Sequence, residues 1–591
     1  TEGYVIGTGN ITKKGDGYLY LLQNNAEFTG DWDVQAGHVV GHYGAAFGAD
    51  NEIFLGSAAT DASGTTGVYM KSNQGFTTRY QILSDIEVRA NAGGQIRQIG
   101  VMNNSTTGGW NNDSYIFAGD VALNGDVNLY YKDTGTNTQL AAAAGDPDGS
   151  QLTGAFRHIL LNGQLSGTGK LTTVMDVGAV YTAKVFFNLN NDNSAWLGSL
   201  KVGNGTFNTL QQHYVRLGND KALTAANSVT LDTNAYFQVG GKNVTIGNLK
   251  AEKAAGTGAS AGSVAGTNQT IVENASNQEG TLTVVQTGGT QNWDILFQDG
   301  VTPTWYSGAS AEVYSNRLNL TKAGTATAVL TQLNTYTGVT NVDVGNLQVG
   351  SGGTGTRASA DLLGRTGTGG VRINNGGTLS GTGVVQGRAG IIHQVNSGGK
   401  LAPGDINVSG ESLLGTLFMD GGLVLNSGGV IELQITASTL NSSGLADATN
   451  TSVYNAALLA LPGTAALANP IDTTKHDHLE INGQMDFTGG GTVSVVNLAY
   501  NTAIAGDVFN LIDWSSVSNA GFNAGGTFRF GGELGSNLLL PTLSNGLGWD
   551  TSLFAAHGIL VVTAVPEPGR MALLVAGLTV LALRRRRRCG L

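Results

Sequence analysis

The sequence predicts an all-β protein in which short parallel strands stack in successive rungs, that is, a β-solenoid. Glycine is very common, with 90 residues in a chain of 591, whereas proline is rare at 8. Val, Leu and Ile occur singly or in short alternating runs between Gly and Asn, the pattern of brief strands joined by tight corners. Related phrases also recur along the chain, which indicates a repeated structural unit.

The amino-acid composition argues against some classes of function. Only 12% of the residues are charged, against a usual share of about 25%. The net charge is −11 even though five arginines, Arg584–Arg588, stand together at the C-terminal end. An acidic chain without a basic stripe argues against nucleic acid as a partner. The single cysteine, Cys589, lies beyond the arginines, so the predicted solenoid is held by stacking rather than by disulfides.

The first repeat links two distant parts of the chain. Residues 11–37 carry the phrases Ile-Thr-Lys-Lys-Gly, Leu-Leu-Gln-Asn-Asn and Phe-Thr-Gly, followed by Val34 and Gly37. Residues 320–345 repeat this order as Leu-Thr-Lys-Ala-Gly, Leu-Thr-Gln-Leu-Asn and Tyr-Thr-Gly, followed by Val342 and Gly345. Both segments are therefore expected to fold in the same way.

A shorter repeat follows residue 370. Glycine pairs stand at Gly376–Gly377, Gly398–Gly399 and Gly421–Gly422, spaced by 22 and then 23 residues, with Asn or Asp close to each. Gly and Asn adopt the positive φ that tight corners require. Between the pairs we predict short strands whose alternating apolar side chains face a common interior. They are Val371–Ile373, Val384–Val385, Ile391–Val395, Leu417–Met419 and Leu423–Leu425.

These segments resemble the autotransporter-associated β-strand repeats of passenger domains. The resemblance rests on Asn334–Thr340 with Val344–Gly350, and on the Gly-Gly-Lys-Leu-Ala-Pro-Gly-Asp phrase at Gly398–Asp405. It implies a right-handed parallel β-helix over about residues 1–440. The sorting tail described below stands where an autotransporter would carry its translocating β-barrel, so the resemblance does not imply self-secretion.

Three further segments complete the predicted organisation. An Ala/Gly/Ser-rich loop leaves the coil at about residues 251–269, and residues 441–478 form an irregular linker with a short helix at Asn455–Leu461. Residues 479–563 form a terminal β region that caps the open strand edge. Its phrase Gly506–Asp513 is similar to the closing rungs of PEP-CTERM proteins.

Residues 564–591 predict how the protein is sorted. A Pro-Glu-Pro phrase in Val565–Gly569 precedes a short apolar helix, Met571–Leu583, which leads into the five arginines. Thirteen residues are short for a bilayer span, which needs about 20, and the arginines would hold that end among cytoplasmic lipids. The order resembles the PEP-CTERM signal of Gram-negative surface proteins.

This second resemblance implies a partner and two functional elements. The partner is an exosortase, which would act during a transient membrane insertion of the tail. The implied sorting motif is Pro566, Glu567 and Pro568, and the implied cytoplasmic basic stop is Arg584, Arg585, Arg586, Arg587 and Arg588. An ordinary C-terminal membrane anchor is the alternative.

The candidate metal ligands have ordinary structural explanations. In His476–Asp477–His478 two imidazoles would share one strand face, as metal ligation requires, but no third ligand stands at rung spacing. We therefore favour a solvated strand start. Asp146–Gly149 and Asn190–Asn193 offer clustered oxygens without the spacing of a calcium loop, which favours surface turns. We predict no metal and no cofactor.

Aromatic residues give a weaker indication of function. Trp110, Trp196, Trp293, Trp305 and Tyr306 lie in polar surroundings, where they could stack on sugar rings. Packing against the coil is the favoured interpretation. The sequence also lacks a P-loop.

The sequence therefore predicts an exported, non-enzymatic protein of the Gram-negative cell surface, outer membrane or extracellular matrix. It would be adhesin-like or structural and would contact extracellular polysaccharide or other cells, and an export signal is expected upstream of Thr1. The alternative is a β-helix polysaccharide lyase or hydrolase. That alternative requires a groove with three or more carboxylates or Lys/Arg on adjacent rungs.

Overall fold

The structure is a computed structural model. It describes residues 4–43, 45–57, 59, 63–71, 80–90, 94–103, 114–133, 157–177, 183–203, 211–252, 270–300, 317–352, 357, 360, 363–406, 412–436, 475–501, 503, 505, 507–532, 535–543 and 546–564.

Short strands make up almost all of the regular structure in this part of the chain. The first twenty-six are β1 (Ile11–Lys13), β2 (Tyr18–Leu21), β3 (Trp32–Val34), β4 (Gly37–Gly41), β5 (Glu52–Leu55), β6 (Thr65–Met70), β7 (Tyr80–Ile82), β8 (Asp85–Val88), β9 (Ile96–Asn103), β10 (Ser114–Phe117), β11 (Val121–Leu123), β12 (Val127–Asp133), β13 (Arg157–Leu161), β14 (Leu165–Gly167), β15 (Leu171–Val177), β16 (Ala183–Leu189), β17 (Leu200–Val202), β18 (Gln211–Leu217), β19 (Val229–Asp232), β20 (Ala235–Gln238), β21 (Asn243–Ile246), β22 (Leu249–Glu252), β23 (Ile271–Glu273), β24 (Gly280–Val285), β25 (Thr290–Trp293) and β26 (Leu296–Gln298).

The remaining elements include one short helix. They are β27 (Leu318–Ala323), β28 (Thr327–Leu330), β29 (Thr340–Val342), β30 (Gly345–Val349), β31 (Val371–Ile373), β32 (Gly377–Gly381), β33 (Val384–Val385), β34 (Ile392–Val395), β35 (Lys400–Pro403), β36 (Asp405–Ile406), β37 (Ser412–Leu413), β38 (Thr416–Asp420), β39 (Gly422–Leu425), β40 (Val430–Ile435), β41 (His478–Asp486), β42 (Thr492–Asn497), β43 (Val508–Asn510), β44 (Ile512–Ser518), β45 (Phe528–Arg529), β46 (Leu538–Leu539), β47 (Leu547–Asp550), α1 (Phe554–His557) and β48 (Ile559–Ala564).

Five long parallel sheets form the body. Three lie in the first half, in the orders β1-β3-β5-β8-β11-β14, β2-β4-β6-β9-β12-β15-β17-β19-β22 and β7-β10-β13-β16-β18-β20-β23-β26. Two follow, in the orders β21-β24-β27-β29-β31-β34-β39-β41-β38-β33, with β44 beside β41, and β25-β28-β30-β32-β35-β40-β42-β46. Because neighbours in a sheet are separated in sequence by strands of the other sheets, the chain winds as a coil. The all-β parallel solenoid is thus confirmed, and its handedness stays a prediction.

Alternation along each strand produces a continuous interior. Strand β24 alternates buried and partly exposed residues, with Leu282 and Val284 fully buried. Since the strands stack in register, inward residues form columns along the coil. One column runs through Phe187, Val215, Phe237, Val272 and Phe297. A single apolar cluster extends from Leu21 to Val562, so each rung is stabilised by its neighbours rather than by its own small core.

The outer face of the third sheet carries a second column. The rings of His158, Phe186, Tyr214 and Tyr236 stack with successive centroid separations of 4.9, 4.5 and 4.3 Å. The rings lie face to face, so each one covers its neighbour's π surface. This arrangement stabilises the stack of rungs and leaves ring edges, not faces, for any external ligand.

The glycine-rich corners confirm the short repeat and correct one of its members. Gly376 and Gly398 have positive φ, and the Gly376 amide donates to the Gly398 carbonyl oxygen at 3.0 Å. The Gly398 amide in turn donates to Gly428, not to Gly421. The third corner is therefore Gly428–Gly429, and the expected pair Gly421–Gly422 is the start of β39 at another corner. Beside these corners the side-chain amides of Asn374, Asn396 and Asn426 form a ladder that ends on the Asp343 carboxylate, with N···O distances of 2.7 to 2.9 Å.

The long-range repeat adopts the same structure twice, and its lysines show why that position is polar. Lys13 and Lys322 end the equivalent strand phrases, and each ammonium donates to three backbone carbonyls at its corner. The Lys322 contacts measure 3.0, 2.8 and 3.1 Å, to Ala323, Gly324 and Val344. Lys322 is fully buried, which lowers its pKa to about 8. The repeat thus carries its own donor for corner carbonyls.

A different type of sheet lies at the C-terminal end. Strands β43, β48, β47 and β45 pair in an antiparallel manner, and Trp549 of this sheet contacts Phe509 and belongs to the common apolar interior. The predicted linker, residues 441–478, lies outside the described residues except for 475–478, which lead into β41, and the predicted apolar helix, residues 571–583, lies wholly outside them. Among the helices that the structure describes, none has the length and apolar character needed to cross a bilayer. The domain boundaries stay predictions.

Candidate functional site

A cleft lies near the C-terminal end of the described coil. Strands β38 and β39 are separated only by Gly421, and both pair in parallel with the single long strand β41. The register of β41 with β44 shifts between Ile481 and Gln484, as at a β-bulge. The resulting cavity has a volume of about 480 Å³, within the range of small-molecule sites. Its lining consists of Gly387–Ile392, Asp420–Val424, Asn482–Gln484 and Asp486.

The floor of the cleft is backbone. A Cβ atom on Gly483 would lie 2.2 Å from the Gly421 carbonyl oxygen, and one on Gly387 would lie 2.1 Å from that of Asp420. Three chain segments therefore meet with no room for side chains between them. Glycine at these positions lets the neighbouring polar side chains surround an open space rather than fill it.

Three neighbouring strands carry carboxylates; of these, Asp420 lines the cleft, whereas Glu480 and Asp513 lie outside its lining. Asp420 ends β38, Glu480 lies on β41 and Asp513 on β44, and Glu480 and Asp513 are direct cross-strand partners. The Arg357 guanidinium forms an ion pair with Asp420. Asn482 donates weakly to the other oxygen of Asp420, at 3.4 Å. Asp420 is thus positioned by two donors, whereas the other two acids face each other across adjacent rungs.

The buried His478 affects the pKa values of Glu480 and Asp513. It is fully buried, its Nδ1 donates to the Asn510 carbonyl oxygen at 3.0 Å, and its Nε2 lies 3.4 Å from Asp513 Oδ2. Burial acts to raise the pKa of Asp513, but hydrogen bonding and charge from His478, with Asn510, hold that pKa below its ordinary value. Burial raises the pKa of Glu480, His478 opposes this shift, and the negative charge of Asp513 adds to it. Two neighbouring carboxyl groups whose pKa values shift in opposite directions are an arrangement found at acid–base sites.

The His476–Asp477–His478 segment differs from its prediction. All three side chains are fully buried, so the solvated strand start was wrong. Asp477 accepts the backbone N–H groups of Gly415 and Gln434 at 3.0 and 2.9 Å, and its burial raises its pKa well above the ordinary value. These residues tie two strands together from the inside. Within the described ranges, the structure places no three His, Cys, Asp or Glu side chains together as metal ligands.

The Asn190–Asn193 segment forms a turn, as the favoured interpretation expected. Asn193 is buried, accepts the Leu165 amide at 2.8 Å and donates to Ala222 at 3.1 Å. Asp192 accepts the Ser194 amide and pairs with Lys221. The side-chain oxygens of Asp192 and Asn193 thus accept from donors of the protein itself.

The two tryptophans that the structure describes among the predicted sugar-stacking residues are core residues. Trp196 and Trp293 are fully buried, and the Trp196 indole donates to Gly169 at 2.9 Å. Packing, not sugar stacking, is therefore confirmed for both.

Several predicted positions lie outside the described residues, so they stay predictions. Among the candidate binding residues these are Asp146–Gly149, Trp110, Trp305 and Tyr306. The whole sorting signal also lies outside the described residues. Its members are Pro566, Glu567 and Pro568 of the motif, and Arg584, Arg585, Arg586, Arg587 and Arg588 of the basic stop.

Sequence reasoning missed the acids beside the cleft. Asp420, Glu480 and Asp513 are far apart in sequence, and no local motif marks them. The one available signal was their position as outward residues of short strands with alternating polarity. Recognising that they are neighbours required the pairing of β41 with both β38 and β44.

Comparison with known proteins supports the repeat prediction. The family described as passenger-associated-transport-repeat matches residues 11–40 and 320–349, the two segments that share the corner lysine. The chain is also 25% identical, over 90% of its length, to a protein named Adhesin BmaC autotransporter from Brucella suis biovar 1 (strain 1330). It spans only 17% of the length of that relative. The chain thus carries autotransporter-associated repeats and is similar to part of an adhesin.

Proposed function

We propose that this protein is an exported, non-enzymatic β-solenoid of the Gram-negative cell surface or extracellular matrix, with an adhesin-like or structural role. The observation that carries the proposal is the continuous parallel coil bearing two passenger-type repeats, together with similarity to part of an autotransporter adhesin. A stacked coil projects a long surface, and its polar outer positions suit water and sugar. Extracellular polysaccharide and other cells are the proposed partners.

The proposed route to the surface uses the C-terminal tail. Pro566–Pro568 would be recognised by an exosortase while Met571–Leu583 rests in the membrane and Arg584–Arg588 stays on the cytoplasmic side. The support for this proposal is the order and spacing of these three features. It also gives the acidic solenoid, with a chain charge of −11, a means of release away from anionic lipids.

Changing Pro566–Pro568 to three alanines tests sorting. In a host with an exosortase, we expect the variant to accumulate in the membrane fraction at full length, whereas the unaltered protein is shortened and released. Fractionation and mass spectrometry of the C-terminus measure both effects. A host without the enzyme is the control, in which both proteins should stay membrane-bound. Equal release of variant and unaltered protein in the exosortase host would contradict the sorting proposal.

A specific observation favours a second candidate function. Asp420, Glu480 and Asp513 lie on adjacent strands, with Asp420 in the lining of the cleft, and the pKa values of Glu480 and Asp513 shift in opposite directions. Glu480 would be the general acid and Asp513 the base or nucleophile. Incubation of the purified protein with neutral and uronic-acid polysaccharides tests this function. Turnover that Glu480→Gln abolishes would establish the enzyme, and its absence across the panel would leave the adhesin.

A further inference from the structure

The cleft beside β41 contains polar groups that the fold does not use. Arg388 and Gln484 are both exposed, and in the described part of the chain neither side chain has a hydrogen-bond partner. Asp486 accepts from the amide and hydroxyl of Thr488 through Oδ1 alone, which leaves Oδ2 available. The cleft thus presents a guanidinium, a primary amide and a carboxylate around one cavity of about 480 Å³.

An apolar wall lies opposite these groups. Ile392 is 54% exposed at the rim, and Val424 lies beside it in the lining. Covering Ile392 would remove apolar surface from water, which favours a ligand with an apolar face. A ligand with one apolar face and hydroxyl groups around its edge would cover Ile392 while its hydroxyls bond Arg388, Gln484 and Asp486. Pyranose rings have this amphipathic shape.

The charges of the site restrict the class of sugar. Asp420 and Asp486 both line the cleft, and the guanidinium paired with Asp420 belongs to Arg357, which is outside the lining. Arg388 is the one cation of the lining itself, and Arg357 neutralises Asp420 from outside it, so two guanidinium groups balance the two carboxylates. A charged sugar therefore gains no net attraction at the cleft, and the chain charge of −11 repels a polyuronate on approach. An uncharged, hydroxyl-rich ligand can form hydrogen bonds with both the donors and the acceptors of the cleft.

We propose that this cleft binds one or two uncharged hexose units of an extracellular polysaccharide. This inference rests on the proposed surface function and names the ligand class for it. Arg388 and Gln484 donate to ring and hydroxyl oxygens, Asp486 accepts from a pair of hydroxyls, and Ile392 packs against the C–H face of the sugar. The backbone floor at Gly421 and Gly483 allows the ring to approach closely.

Titration of the purified full chain, in mild detergent, tests the proposal. The probes are cellobiose, maltose and N,N′-diacetylchitobiose as uncharged sugars, digalacturonate as the anionic probe and chitosan disaccharide as the cationic one. Calorimetry and saturation-transfer NMR should detect at least one uncharged probe, bound at least tenfold more tightly than either charged probe. Tighter binding of a charged probe, or no binding of any uncharged one, would overturn the proposal.

Substitutions in the cleft test whether the sugar binds there. Arg388→Ala and Gln484→Ala are each expected to weaken binding about tenfold, because each removes a hydrogen bond at an exposed position without disturbing the fold. Lys14→Ala, an exposed cation at the other end of the coil, is the matched control and should bind as the unaltered protein does. Undiminished binding by both cleft variants would assign the sugar to another surface and refute this site. Surface display in cells is measured separately, so a refuted cleft and a refuted surface function are distinguishable.

Discussion

Replacing Leu282 with Asp is expected to unfold the coil around β24, whereas replacing the next residue, Thr283, with Asp is expected to be tolerated. Leu282 is fully buried in the common interior, and Thr283 points outward and is partly exposed. An unpaired carboxylate in the interior costs several kcal/mol, because it loses its hydration without gaining a partner. At Thr283 water still reaches the new charge, so the change should stay within about 0.5 kcal/mol.

Chemical denaturation followed by circular dichroism measures this pair. Because both substitutions introduce the same charge one residue apart, net charge and strand propensity are matched between them. The rungs depend on their neighbours, so the Leu282 variant should also show rapid hydrogen exchange in the paired strands β21 and β27. Similar loss of stability in both variants would contradict the assigned facing of β24.

The second large effect is a loss of stability in mild acid caused by two buried histidines. Burial, with a smaller effect of Arg216, lowers the pKa of His158 to about 3, and burial lowers that of His213 to about 4. The unfolded chain therefore binds protons from about pH 6.5 downward that the folded chain does not. Stability is fully present above pH 6.5 and decreases as pH falls. By pH 5 each histidine should cost about 2 kcal/mol.

Denaturation at pH 7 and pH 5 tests this linkage. His158→Gln combined with His213→Gln should remove the part of the loss that these two histidines cause, even if it lowers stability at pH 7. Burial also lowers the pKa values of His38, His42 and His393, and their part of the loss should remain. His557→Gln, a partly exposed histidine in α1, is the control and should keep the full loss. Asp477 acts in the opposite sense, since its raised pKa favours the folded state as pH falls, and it is common to all variants. An unchanged pH dependence in the double variant would refute the assignment.

Much of the fold was predictable because its signals are local. Positive φ at Gly376 and Gly398 follows from residue type, and alternation within strands predicts which side faces the interior. The long-range pairing of strands and corners was harder to predict from the sequence. Gly421–Gly422 matched the glycine spacing, but Gly422 begins strand β39 there, and the equivalent corner is Gly428–Gly429. A spacing rule cannot detect an altered rung length.

The candidate site was mostly hidden from sequence reasoning. Local polarity suggested that His476–His478 would be solvated, but Asp477 bonds the amides of Gly415 and Gln434, and this cross-link requires burial. Likewise, Glu480 and Asp513 become partners only through the register of β41 with β44. No sequence motif marks Arg388 and Gln484, the free donors of the cleft. They differ from other exposed polar residues only by the open space beside them, which the fold creates.

The central claim is that successive rungs stack in parallel with the stated register, and cysteine cross-linking tests it most directly. With Cys589 changed to Ser, the chain has no other cysteine. Thr230 and Lys250 are cross-strand partners on β19 and β22, and Glu252 is two residues further along β22. Parallel partners lie about 5 Å apart, within reach of a disulfide, whereas offset residues lie about 7–8 Å apart. Efficient oxidation of Thr230→Cys with Lys250→Cys, but not with Glu252→Cys, is the predicted result; the reverse preference, or no cross-link in either, would contradict the coil.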